Sequence, residues 1–123
     1  MEPGDYPLKL YRGDSYKWKF VVWADAEKTQ PANLQGVIPA AQIRVTPVGD
    51  LLMDLICEIE LPNIVKVSLP ATLWAVTVPK SAAWDLELTY PAGDVSTIIA
   101  GKVTITPDVT NTIVGSVPLK AIS

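Results

Sequence analysis

The stretch "WDLELTYPAGDVSTIIAGKVTIT", Trp84 to Thr106, decides the fold. From Trp84 to Tyr90 the residues alternate, with Trp84, Leu86, Leu88 and Tyr90 on one face and Asp85, Glu87 and Thr89 on the other. A period of two is what a strand needs to bury one face and wet the other. "PAGD", Pro91 to Asp94, supplies a proline with preset φ and a glycine tolerant of positive φ, so the chain reverses there. Val95 to Thr106 then returns as a long run rich in β-branched residues. Together the two segments predict an antiparallel hairpin.

The same period extends outward along the chain. In Ser15 to Trp23, Tyr16, Trp18, Phe20 and Val22 point one way while Lys17 and Lys19 point the other. Tyr6, Leu8 and Leu10 predict a short first strand. Between them lies Arg12-Gly13-Asp14, a tripeptide that marks adhesion loops in some extracellular proteins. Here Gly13 and Asp14 serve a tight corner ahead of a strand, and the turn reading is preferred. Ala24 to Gly36 holds polar turn formers and reads as a loop. Val37 to Thr46 resumes as a strand whose start Pro39 confines to an edge or bulge. "TPVGD", Thr46 to Asp50, is a turn; Leu51 to Leu61 is a strand ended by Pro62-Asn63; Val65, Val67 and Leu69 alternate again. Pro70 to Val76 is the one place for a helical turn, too short to stand alone and suited to bridging two sheets. Beyond Asp108 no period is clear, and "TNTIVGSVPLKAIS", Thr110 to Ser123, predicts an extended arm.

At 123 residues the chain is one domain, large enough to bury a core without metal or disulfide support. Eleven prolines and seven glycines fall mainly between the alternating runs, the spacing of a β-sandwich or small barrel. Hydrophobic residues make up 49% and charged residues 19%, which argues against disorder. A net charge of −3 with mixed signs argues against a nucleic-acid surface. No apolar run reaches the length of a bilayer span, and "MEPGDYP" lacks the basic start and apolar stretch of a signal peptide. The expectation is a soluble protein made in the cytoplasm without a classical export signal. The single Cys57 fits a reducing compartment and reads as a packed, unreactive thiol.

The chemistry at hand is sparse. There is no histidine, which removes the commonest general base and most zinc sites. No glycine-rich phosphate loop occurs. Glu58 with Glu60, and Asp85 with Glu87, are the remaining acid pairs, each sharing one strand face and reading as solvated surface. Asp25 to Lys28 reads as a solvated loop rather than a calcium loop. These readings predict a protein that is not an enzyme and carries no cofactor or metal. Trp18 and Trp84 lie on clean alternating faces and are expected in the core. Trp23 falls on the opposite face from Trp18, and Trp74 lies in the irregular bridge, so those two are candidates for a partner contact.

The order of these pieces is familiar. "YRGDSYKWKFVVW", a loop ending in "ANLQG", "AAQIRVTPVGD", and finally "AAWDLELTYPAGDVSTIIAGKVTITPDVT" resemble a pattern in small tail-, baseplate- and capsid-associated proteins of tailed bacteriophages. The similarity spans roughly Tyr11 to Thr110. It resembles the immunoglobulin-like sandwich at the N-terminus of phage baseplate upper proteins, with Asn33 standing where that pattern commonly has an acidic residue. The resemblance implies an all-β, immunoglobulin-like antiparallel β-sandwich of about seven strands. It implies a non-enzymatic structural or accessory protein of the virion, either a capsid decoration or a tail or baseplate component. Receptor-binding or trimerising domains of the larger baseplate proteins are expected to be missing.

The expected organisation is an N-terminal arm with the first short strand over residues 1–12, the sandwich over 13–110, and a C-terminal arm over 111–123. Partners would be other phage structural proteins, such as capsid or tail subunits, and copies of the chain itself, with no nucleic acid, membrane or small-molecule substrate. Trp23, Trp74 and the arm residues Ile113, Val114, Val117 and Leu119 are the expected contacts. A carbohydrate- or receptor-binding module, using Trp23, Trp74 and the Arg12–Asp14 corner, is the alternative.

Overall fold

A computed structural model describes residues 3–75 and 77–107. Within them the chain is all-β. Its strands are β1 (Gly4–Asp5), β2 (Leu8–Tyr11), β3 (Tyr16–Val21), β4 (Ile38–Arg44), β5 (Leu51–Glu60), β6 (Ile64–Leu69), β7 (Ser81–Thr89) and β8 (Val95–Thr106). They form one curled mixed sheet in the order β1-β8-β7-β4-β5-β6-β3, with β2 following β1 along β8. The curl is made by β5. Its residues Leu51 to Leu55 pair with β4, whereas Ile56 to Glu60 pair with β6, so one long strand belongs to both layers. A sandwich-like core fills the space between them.

The alternating faces account for that core. On β7 and β8, Trp84, Leu86, Leu88, Val103 and Ile105 point inward and are buried. From the opposite layer, Val65, Val67 and Leu69 are each 1% exposed or less. The Trp84–Thr106 hairpin forms as expected, with Tyr90 and Gly93 closing its turn and Gly93 at φ 100°. Pro39 sits opposite Leu88 of β7 at a point where β4 has no β5 partner, because the β4–β5 ladder starts at Ala41. The missing N–H therefore costs no ladder bond. The helical turn in the bridge is a single 3₁₀ turn, Ala71–Leu73.

One difference from the sequence reading stands out. The sheet is mixed rather than purely antiparallel, because Gly4 to Tyr11 runs parallel to β8. The short first strand expected at Tyr6, Leu8 and Leu10 forms as Leu8–Tyr11, and Gly4–Asp5 also pairs with β8 within the molecule. Alternation reveals that a segment is a strand, but not which edge it adds to or in which direction. The expected C-terminal arm, 111–123, lies outside the described residues.

Candidate docking surfaces

The N-terminal strand is fastened at Tyr6. The Tyr6 carbonyl accepts a hydrogen bond from the Trp84 indole Nε1 at 2.7 Å, and the Tyr6 ring packs edge-on against Phe20, centroids 5.2 Å apart. Phe20 and Trp84 are 5.9 Å apart, so three aromatic rings from β3, β7 and the N-terminal strand meet at one point. Close approach there demands a glycine. A Cβ on Gly101 would lie 2.4 Å from the Tyr6 carbonyl oxygen. The sequence marks Trp84 as a core residue, but nothing in its local pattern singles out Gly101 or says that Tyr6 lies over it.

The Arg12-Gly13-Asp14 corner is a structural turn. Gly13 takes φ 91°, and the Asp14 N–H donates to the Tyr11 carbonyl. The Asp14 carbonyl accepts the Trp74 indole Nε1–H at 2.7 Å, and Ser15 Oγ accepts from the Ala71 N–H at 3.1 Å. Trp74 is half-buried against the core and ties the bridge to the corner. Its polar atom is thus engaged within the chain. Trp23 is exposed, in a small hairpin where it pairs with Pro31. Trp84 is in the core as expected, while Trp18 is half-buried and stacked on Tyr16. Ile113, Val114, Val117 and Leu119 lie outside the described residues.

The acidic groups have ordinary partners. Glu58 faces Lys66 across the β5–β6 ladder, and Glu60 makes an ion pair with Lys66 at 2.8 Å. That hydrogen bond and charge hold the Glu60 carboxyl below its usual range. Asp25 accepts N–H bonds from Thr29 and Gln30 and the Thr29 hydroxyl, which lower its pKa and shape the loop. Cys57 is half-buried, and desolvation pushes its thiol up to about 11. It is therefore almost wholly protonated at neutral pH. Among the described residues no group of three or more His, Cys, Asp or Glu is placed to hold a metal.

A cleft of about 540 Å³ lies on the outer face of the sheet. Its floor is the small residues Ser81, Ala83 and Ala100, and Arg44, Asp85 and Lys102 bring charge to it. Arg44 is held by the Gly49 carbonyl and Gln42 Oε1, and Gln42 in turn donates to Asp54. Burial raises the Asp85 pKa first, and the neighbouring Glu87 adds to this, against a smaller opposing pull from Arg44. A carboxyl with a raised folded-state pKa destabilises the fold once ionised, so stability falls as pH rises through that pKa. Asp85→Asn is expected to stabilise the protein at neutral pH and to have no such effect below the unfolded carboxyl pKa. Denaturant melts at two pH values measure this, and equal effects at both would contradict it.

Most of the exposed large apolar residues lie near the strand ends, while Tyr6 and Ile56 are exposed along the sides. At one end, where β3, β5 and β7 finish, Val21, Trp23, Ile38, Leu61 and Val95 are exposed. At the other, Tyr11, Val45, Val48, Leu51 and Leu73 are exposed, Val48 at 96%. The sides also carry the Glu58, Glu60 and Lys66 charges and the cleft lined by Arg44 and Asp85. Sequence reasoning found Trp23 but missed the rest, because Ile38, Leu61 and Val95 read as strand residues and only the ladder places them together. No protein-family model matches the chain, and no curated protein matches it.

Proposed function

We propose that this chain is a non-enzymatic structural protein of a tailed-phage particle, held between neighbouring virion subunits as a capsid decoration or a tail or baseplate component. The resemblance of its turn and strand motifs suggests the setting. The observation that carries the docking role is the placement of exposed apolar residues at both ends of the sandwich. Isolated exposed apolar side chains are ordinary, whereas clusters rimmed by polar surface fit protein interfaces. Two such ends suit a subunit wedged between others, and symmetric repetition multiplies a modest contact into firm attachment. Trp23→Asp and Val48→Asp, each placing a charge at one end, are expected to lower incorporation into purified particles at least tenfold, with the circular dichroism of the free protein unchanged. Quantitative mass spectrometry of the particles reads this. Normal incorporation of both variants would overturn the proposal.

A second reading, a carbohydrate- or receptor-binding module, is favoured by one observation, a cleft whose largely apolar floor of small residues is flanked by Arg44 and Asp85. It requires the isolated chain to bind glycans or cells. Binding that survives Trp23→Asp but is lost on Arg44→Ala would support it.

A further inference from the structure

The outer face of the sheet, from β5 across β4, β7 and β8 to β1, carries its charges in rows. Residues paired across a ladder share one face and line up across the strands. Arg44 pairs with Ala83 and Ala83 with Lys102, so one row runs cation, alanine, cation over β4, β7 and β8. Two residues along each strand lies the next row, Asp54, Gln42, Asp85, Ala100 and Asp5, over β5, β4, β7, β8 and β1. The acids thus stand on β5, β7 and β1, and the cations on β4 and β8. Each row's charges fall on strands where the other row has none. Between them Ala83 and Ala100 leave open the floor of the cleft of about 540 Å³. The side chains of Lys102, Asp85 and Asp5 make no hydrogen bond or ion pair among the described residues.

The geometry points to a self-recognition surface, on which a second copy of the chain docks face to face. A two-fold axis that runs along the rows, midway between them, lays each row over the other row of the second copy. Asp85 of the second copy then stands over Ala83, between Arg44 and Lys102. Lys102 stands over Ala100 of the second copy, between its Asp85 and Asp5. Arg44 stands over Gln42 of the second copy, between its Asp54 and Asp85. One placement satisfies both rows, and every contact occurs twice. A uniformly acidic or basic partner would match one row and oppose the other, so the face fits its own copy best. These are surface pairs, and the contact is therefore modest and screened by salt. The inference goes beyond the proposed function and stands without it, because its test needs no particle.

Sedimentation velocity of the full-length chain at sub-millimolar concentration tests it. The chain is expected to run as a dimer at about 20 mM salt and as a monomer at about 500 mM, where screening is strong. Lys102→Glu, at an exposed position, and a second variant combining Asp5→Lys with Asp85→Lys each set like charges face to face. Each is expected to weaken the dimer by about tenfold or more, with the circular dichroism of the parent chain. Mixed in equal amounts, the two variants should pair with each other as strongly as the parent does, since acid meets base again. A parent chain that stays monomeric at low salt would overturn the inference. So would a dimer that Lys102→Glu leaves unchanged, which another face would then hold, or two folded variants that fail to pair on mixing.

Discussion

Trp84→Ala is expected to cost about 3–5 kcal/mol, the range for deleting a buried tryptophan from a core. Trp84 is buried, lies within 5.9 Å of Phe20, and donates its indole N–H to the Tyr6 carbonyl. Truncation opens a void between the layers and releases the N-terminal strand at the same time. Against a total stability of about 5–15 kcal/mol, this brings the domain close to unfolding. The melting temperature should fall by roughly 10–20 °C. Trp84→Phe separates the two parts, since it keeps most of the ring volume but loses the hydrogen bond. It should cost clearly less than the alanine variant. Equal and small costs for both would mean that the three-ring junction contributes little.

Gly101→Ala is the second large effect, and it adds atoms instead of removing them. The new methyl would stand 2.4 Å from the Tyr6 carbonyl oxygen and 2.7 Å from its carbon, both backbone atoms that no side-chain rotation can move. Overpacking of this kind costs about 1–3 kcal/mol. The strain can be relieved by lifting the N-terminal strand from β8. Amide exchange over residues 4–11 should therefore accelerate more than exchange in the β4–β7 ladder. Uniform acceleration across the sheet, or none, would contradict the described path of the chain's start.

The sequence showed its strands clearly where one face is buried. Trp84, Leu86 and Leu88, or Val65, Val67 and Leu69, alternate because the pleat sends every second side chain into the core. The turn at Gly93 was legible for a similar reason, since few residues accept φ 100°. What stayed hidden depends on contacts distant in sequence. No local pattern says that Tyr6 lies over Gly101, that Asp14 receives the Trp74 indole, or that β5 divides its partners between two layers. The irregular segment around Trp74 gives no sign that its indole N–H ties the bridge to the Asp14 corner. The clustering at the two ends was invisible for the same reason. It follows from strand order and register, which single segments do not encode.

Electron cryomicroscopy of intact phage particles from the producing cells, fitted with this sandwich, tests the docking role most directly. The expected result is its density at symmetry-repeated positions, with the Trp23 and Val48 ends each against a neighbouring subunit. Particles that lack the chain entirely, while it accumulates as a free monomer, would contradict it.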